Sequence, residues 1–448
     1  MSDSGDEWFA SLVFGSVHAV QHLFMGLLPP LIPVLTVELS LPLWKLGLLM
    51  SAYSLVSGLG QTPMGVLADR FDRRYLLPPG LAVLALAYVT FAAGPTLGAG
   101  LGGVEVGGVS LSGPFLLLLG SMALAGAGAS VVHPTGYPLI SANVSRGRKG
   151  RALGLWGSGS KLGDMAAPVG VAALLIVLTW ERLLFVLGAF GVAYAAALWV
   201  VLGRDGIDTL APQSGTEAGS SGEGEASSET SPGAGDRRTF VYPMVVILAL
   251  FVSRGIATKG IRTFVPTFVT DVYGYSLSAF GLTLGPQSLA NAYFSALLLT
   301  AAVVQLVTGS LADRYDHRTV MVGSFGVATV GLVALSYVRL SPVVLLVVLL
   351  LVGGGIWGAN PARDALVSDI SPPEGEGRTF GSLFTFTQVV SAATPVVIGY
   401  LADVSGIRDG FRYLALATLL SVLCAALLLS PRVYVDREAD ADATATSD

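Results

Sequence analysis

Apolar runs of about 18 residues or more, separated by short charged or Gly/Pro-rich stretches, recur along the whole chain. Each is long enough for a helix to cross a hydrocarbon layer roughly 30 Å thick. The pattern predicts spans at residues 9–37, 45–68, 75–95, 114–143, 151–178 and 183–203, then 240–271, 287–312, 319–338, 342–368, 378–403 and 411–430. Inside a bilayer no water satisfies the backbone, so a spanning segment is a helix or part of a closed barrel, and these lengths mean helices. The expected fold class is an all-α polytopic membrane protein, with twelve transmembrane helices in two six-helix bundles. The bundles occupy 1–203 and 240–431, joined by a linker at 204–239 and followed by a tail at 432–448.

Composition agrees. Of 448 residues 53% are hydrophobic and 12% charged, against roughly 25% charged in soluble domains. A soluble enzyme is excluded, and the net charge of −5 excludes a nucleic-acid binder. The lone Cys424 lies in an apolar run and reads as a small buried hydrophobe. The four histidines are too scattered in sequence for a metal cluster, so neither a metal nor a cofactor is expected. The acidic Met1–Glu7 lacks the basic region of a cleaved signal peptide, so the first span is expected to be retained. The linker is rich in Ser, Gly, Glu and Pro and cannot bury a core.

Lys and Arg set the expected orientation. With both termini inside, fifteen fall in cytoplasmic segments, five in outside loops, and five within spans. That bias predicts a plasma-membrane protein with both ends cytoplasmic.

The two halves repeat. Gly65-Val-Leu67-Ala68-Asp69-Arg70-Phe-Asp72-Arg73-Arg74 recurs as Gly309-Ser-Leu311-Ala312-Asp313-Arg314-Tyr-Asp316-His-Arg318. Gly126-x-Gly128 with His133-Pro134 recurs as Gly353-x-Gly355 with Asn360-Pro361, and Arg151 and Pro168 match Arg378 and Pro395. A six-plus-six duplication is the plan of a transporter whose halves rock about a central site. The Gly65–Arg74 loop resembles that of the major facilitator superfamily, with partial copies at Gly309–Arg318 and Gly399-Tyr-Leu-Ala-Asp403. Within it, Gly126–Pro134 and Trp156–Pro168 are similar to the fosmidomycin-resistance type of efflux transporter. The resemblance implies alternating access without a cofactor, acting on a small-molecule substrate as a monomer in the bilayer, with protons as the coupling ion. In that family the loop aspartate meets the start of the eleventh span. A cytoplasmic latch is thus implied between Asp69 and Arg378, mirrored between Asp313 and Arg151.

Charges inside spans are expensive and tend to face cavities. Span seven carries Arg254, Lys259 and Arg262; span five carries Lys161 and Asp164, adjacent on one face. Asp164 and Lys161 either form a self-neutralising ion pair or make Asp164 the proton site, tuned by Lys161; Asp364 is a second carboxylate beside Arg363. Span one presents His18, Gln21 and His22; its histidines can relay protons or simply hydrogen-bond within the bundle. Asn291 and Gln388 complete the expected cavity lining. Two functions follow. The first is proton-coupled efflux of a drug-like compound, on the resemblance. The alternative is uptake or exchange of an organic or phosphorylated anion, on the span-seven cations.

Overall fold

The computed structural model describes residues 4–145, 147–210, 242–279, 282–312, 314–370 and 376–430. The first half is built from α1 (Ser4–Met25), α2 (Leu28–Glu38), α3 (Leu43–Ala68), α4 (Leu77–Gly98), α5 (Gly113–Ala129), α6 (Val132–Asn143), α7 (Lys149–Leu174) and α8 (Trp180–Val201). The second is built from α9 (Tyr242–Val272), α10 (Pro286–Ala312), α11 (His317–Tyr337), α12 (Pro342–Gly358), α13 (Asn360–Ile370), α14 (Glu376–Ser391), α15 (Thr394–Ser405) and α16 (Ile407–Leu427). These make twelve spans, because α1–α2, α5–α6, α12–α13 and α14–α15 are each one span bent in the middle. The expected continuous helices differ from the structure here for a common reason. Pro29, Pro134, Pro361 and Pro395 each follow closely on a break, where the ring removes an N–H and crowds the preceding turn.

Ten helical segments among the described residues are long and apolar enough to cross a membrane by length and hydropathy alone. The other two, α3 and α7, are interrupted by glycine and polar residues, and both border the space between the halves. Two short antiparallel hairpins lie in loops of the face away from the described chain ends: Val104–Val106 with Val109–Leu111, and Leu277–Ala279 with Leu282–Leu284. The first turns at Gly107 and Gly108, both at positive φ, as its tight turn requires. That hairpin fills the loop by which the first half exceeds the second.

The sequence repeat is also geometric. A side chain on Gly126 would strike the Tyr53 carbonyl at 2.5 Å, and one on Gly353 the Leu297 carbonyl at 2.5 Å. Tyr53 and Leu297 are themselves repeat partners, so the same helix crossing is made twice, with glycine where backbones touch. Within the first half α1 packs along α7, where a Cβ on Gly163 would lie 2.1 Å from the Ala19 carbonyl. Gly163→Val should therefore lower the thermal midpoint of the purified protein, by overpacking of roughly 1–3 kcal/mol. An unchanged midpoint would show that α1 and α7 are not held at this distance.

Residues 204–210 fall in the expected linker yet are held to the first half. Arg73 is buried, and its guanidinium donates to the Leu210 carbonyl at 2.7 Å. The Thr209 carbonyl accepts the Arg73 N–H at 3.0 Å, and Asn143 bonds both ways with Asp208 at 2.7 Å. The remainder of the linker and the tail lie outside the described residues.

Candidate functional site

The halves meet along α3 with α14 and α15, α7 with α10, and α2 with α9. Near the middle of the bundle they enclose a cavity of about 220 Å³. Its walls come from α1 to α3, α7, α9, α10, α13, α14 and α15, so neither half holds a ligand there alone. Arg254, Thr258 and Arg262 enter it from one face of α9, since residues four and eight apart stack along a helix. Lys259 lines it too, and Arg363 joins from α13. Phe251, Phe294, Phe384, Met25 and Met50 supply apolar wall.

The charges are unevenly paired. Asp164, 4% exposed, pairs with Arg262 across the halves, and its Oδ1 also accepts from His22 Nδ1 at 2.9 Å. Arg363 binds Asp364 at 2.7 Å, and its guanidinium lies 4.6 Å from the centre of the Phe251 ring. Among the described residues, no ion pair involves Arg254 or Lys259. Polar atoms on the wall are also without partners: Tyr53 Oη, Arg254 Nε, Thr258 Oγ1 and Thr387 Oγ1 are buried and make no hydrogen bond. A buried polar atom left unpaired is costly. Four of them on one cavity wall, beside two unpaired cations, form a surface suited to an anion carrying further acceptors.

The expected residues divide. Arg254, Lys259, Arg262, Gln388 and Asp164 reach the cavity. His18, Gln21, His22, Lys161 and Asn291 do not line it. Gln21 and Asn291 are buried behind the wall, and His18 and His22 pack beside Trp156 and Asp164. The expected Lys161–Asp164 pair is not formed. Asp164 turns to Arg262 and His22 instead, since a guanidinium offers a fork of donors that a lysine lacks. Tyr53, Ser54, Ser57, Thr258, Thr387 and Ser391 also line the cavity, although the sequence reading passed over them. Their hydroxyl-bearing side chains within spans two, seven and eleven are the available signal.

The cavity is shut on one side. Near the face away from the chain ends, Gln287 on α10 donates to the Pro30 carbonyl on α2. There Asp403 accepts the backbone N–H of Leu43 at 2.9 Å and of Trp44 at 2.8 Å. On the face that carries the ends of α1 and α16, no hydrogen bond or ion pair joins the halves among the described residues. Asp69 and Arg70 are exposed there, and so is Arg314. Arg74 donates to the Trp199 carbonyl at 3.2 Å, within its own half. Asp313 and the Arg378 side chain lie outside the described residues, so both pairs of the expected latch, Asp69 with Arg378 and Asp313 with Arg151, fall there in part. Arg151 is exposed beside Arg148 and Glu7. Gly65 and Gly309 sit equivalently, each with its added Cβ 4.0 Å from Pro134 or Pro361.

The family model of the Major Facilitator Superfamily matches residues 14–298 and 283–446. The chain belongs to that superfamily. The fosmidomycin resistance protein of Escherichia coli is 24% identical over 417 residues, covering 91% of this chain and 89% of its own. An uncharacterized MFS-type transporter of Bacillus subtilis, YfnC, is 23% identical over 420 residues, covering 92% and 91%. Among solved structures, a bacterial homolog of the human lysosomal transporter Spinster, inward-facing and unoccupied, superposes with a TM-score of 0.69 at 15% identity, covering 95% of this chain and 98% of that one. As a superfamily member the chain is a membrane transporter rather than an enzyme.

Proposed function

We propose that the chain moves a small amphipathic organic anion across the plasma membrane, coupled to protons, by alternating access of the cavity. The observation that carries this is the pair of cavity cations, Arg254 and Lys259, without carboxylate partners among the described residues. Asp164, the one carboxylate on the wall among the described residues, is already neutralised by Arg262 and so offers little to a cationic drug. The aromatic and methionine wall suits an apolar body attached to the anionic group. The face with Asp69 and the chain ends is read as cytoplasmic from its excess of arginine, which makes this conformation inward-facing. Efflux is the direction favoured by likeness to the fosmidomycin resistance protein. Protonation of Asp164 would free Arg262, letting substrate and proton influence each other through a shared partner.

The test is transport in proteoliposomes under an imposed pH gradient, comparing 4-toluenesulfonate with tetraphenylphosphonium. Toluenesulfonate should move and tetraphenylphosphonium should not; the reverse would overturn the anion reading. Arg254→Ala should weaken toluenesulfonate binding at least tenfold, a loss of about 1.4 kcal/mol or more. Equal affinity would remove Arg254 from the site.

A further inference from the structure

Three of the four histidines stand in one row behind the cavity, and none of them lines it. The His18 ring is edge-on to His22, with centroids 4.6 Å apart, and edge-on to His133 at 5.1 Å. It also stacks on the Trp156 indole at 4.1 Å, while its Nδ1–H donates to the Trp156 carbonyl at 2.8 Å. A carbonyl can only accept, so this bond fixes the tautomer of neutral His18 and leaves Nε2 bare. That Nε2 is buried on a residue 6% exposed and has no partner. At one end of the row His22 bonds Asp164 at 2.9 Å. At the other, Tyr137 follows His133 one turn nearer the Asp69 face, with its ring about half exposed. Packing alone does not call for imidazoles, since an unpaired buried nitrogen is costly and phenyl rings would fill the same space without one.

We propose that this row is a proton path to Asp164, separate from the path of the substrate. The proposal rests on the reading of Asp164 as the coupling group. A proton from the aqueous mouth adds to the bare nitrogen of His133, and His133 gives a proton to His18 Nε2. The His18 imidazolium, still anchored through Nδ1, turns slightly and releases that proton to the bare nitrogen of His22. His22 then gives its Nδ1–H to Asp164 Oδ1. One proton has left the mouth and one carboxylate has become a carboxyl; His133 and His22 have exchanged tautomers, and the same steps run backwards.

The arrangement has a use. The cavity wall holds Arg254, Lys259 and Arg262, which repel protons, and a seated substrate would block that route. The titratable groups against the row are Asp164 from α7, which bonds His22, and Tyr137 from α6, whose ring lies 6.2 Å from that of His133; Arg262 from α9 and Lys161 from α7 act on Asp164 from beyond it. Among the described residues His22 pairs with Asp164, which Arg262 in turn neutralises.

The experiment compares the full-length chain with His18→Gln and His133→Gln in proteoliposomes. Gradient-driven accumulation of 4-toluenesulfonate should fall at least tenfold in each, while toluenesulfonate-for-toluenesulfonate exchange stays within twofold. Retained accumulation overturns the path. So does a parallel loss of accumulation and exchange, which would mean a structural role. Wild-type chain that fails to move toluenesulfonate overturns the anion reading, and a second measurement then decides the path alone. Thr258→Cys is blocked with 2-sulfonatoethyl methanethiosulfonate, which fills the cavity; the native Cys424 is buried. In ¹⁵N-histidine spectra the His22 ring proton should still exchange with D₂O within threefold of the unblocked rate, and should slow at least tenfold when His133→Gln is added. An exchange rate indifferent to His133 overturns the proposal.

Discussion

Asp164→Asn should abolish gradient-driven accumulation and also destabilise the protein. Asp164 is 4% exposed and holds Arg262 of the other half and His22 of its own. Asparagine keeps the shape but removes the carboxylate that lines the cavity beside Arg254, Lys259 and Arg262, the one on its wall among the described residues. Breaking a buried ion pair from one side leaves the other charge uncompensated, at a cost of roughly 3–5 kcal/mol. The two losses can be separated. Adding Arg262→Gln removes the stranded charge and should recover most of the stability, while coupling stays lost because position 164 no longer holds a carboxylate to carry the proton. Thermal midpoints and toluenesulfonate accumulation in the two single variants and the double variant form the cycle. Stability that is additive across the two sites would show that the pair does not hold the halves together. Accumulation that survives in Asp164→Asn would move the proton site elsewhere, with Asp364 next to be tried.

The span plan, the repeat and the loop motif were legible in the sequence because each is local. Hydropathy is a property of consecutive residues, and a motif is its own evidence. The bends at Pro29, Pro134, Pro361 and Pro395 were equally local, and the prolines were visible. An apolar run simply carries no mark of where its axis turns. The hairpin at Val104–Leu111 had its signal in Gly107-Gly108 between alternating residues, masked by a glycine-rich surrounding loop. The site was legible as a set of residues but not as a set of pairs. Lys161 is three residues from Asp164, so helical spacing made it the natural partner. The actual partner, Arg262, lies 98 residues further on, and its approach depends on how the two halves register against each other. The histidines show the same limit. His18 and His22 share a helix face, but nothing in the chain places His133 against them until α6 folds beside α1.

Asp403→Asn should shift the protein toward the conformation open at the far face. Gly399-Tyr-Leu-Ala-Asp403 and Gly65-Val-Leu-Ala-Asp69 share a pattern, and the structure holds their two aspartates in opposite states. Asp69 is exposed at the face with the chain ends, while Asp403 accepts two N–H groups at the start of α3, in the other half. Pro42 caps α3 without a side-chain hydrogen bond, so the helix draws its cap from across the interface. The backbones touch at the same place: a Cβ on Gly47 would lie 2.1 Å from the Pro395 carbonyl, and one on Gly399 2.5 Å from the Leu43 carbonyl. A carboxylate capping a helix N-terminus is worth roughly 0.5–2 kcal/mol. It is formed only while this face is closed, so its loss counts fully against that state. A loss of about 1.4 kcal/mol would change the ratio of the two conformations tenfold. Asparagine offers one acceptor oxygen instead of two and no charge, while preserving volume. Spin labels at Val177 and Val338 report on the far face, and labels at Phe71 and Tyr315 on the other; all four side chains are exposed. In Asp403→Asn the first distance should lengthen and the second shorten, with larger shifts at low ionic strength. Distributions that match the wild type at both faces would mean that the close packing of Gly47 and Gly399 holds the far side shut without help from Asp403.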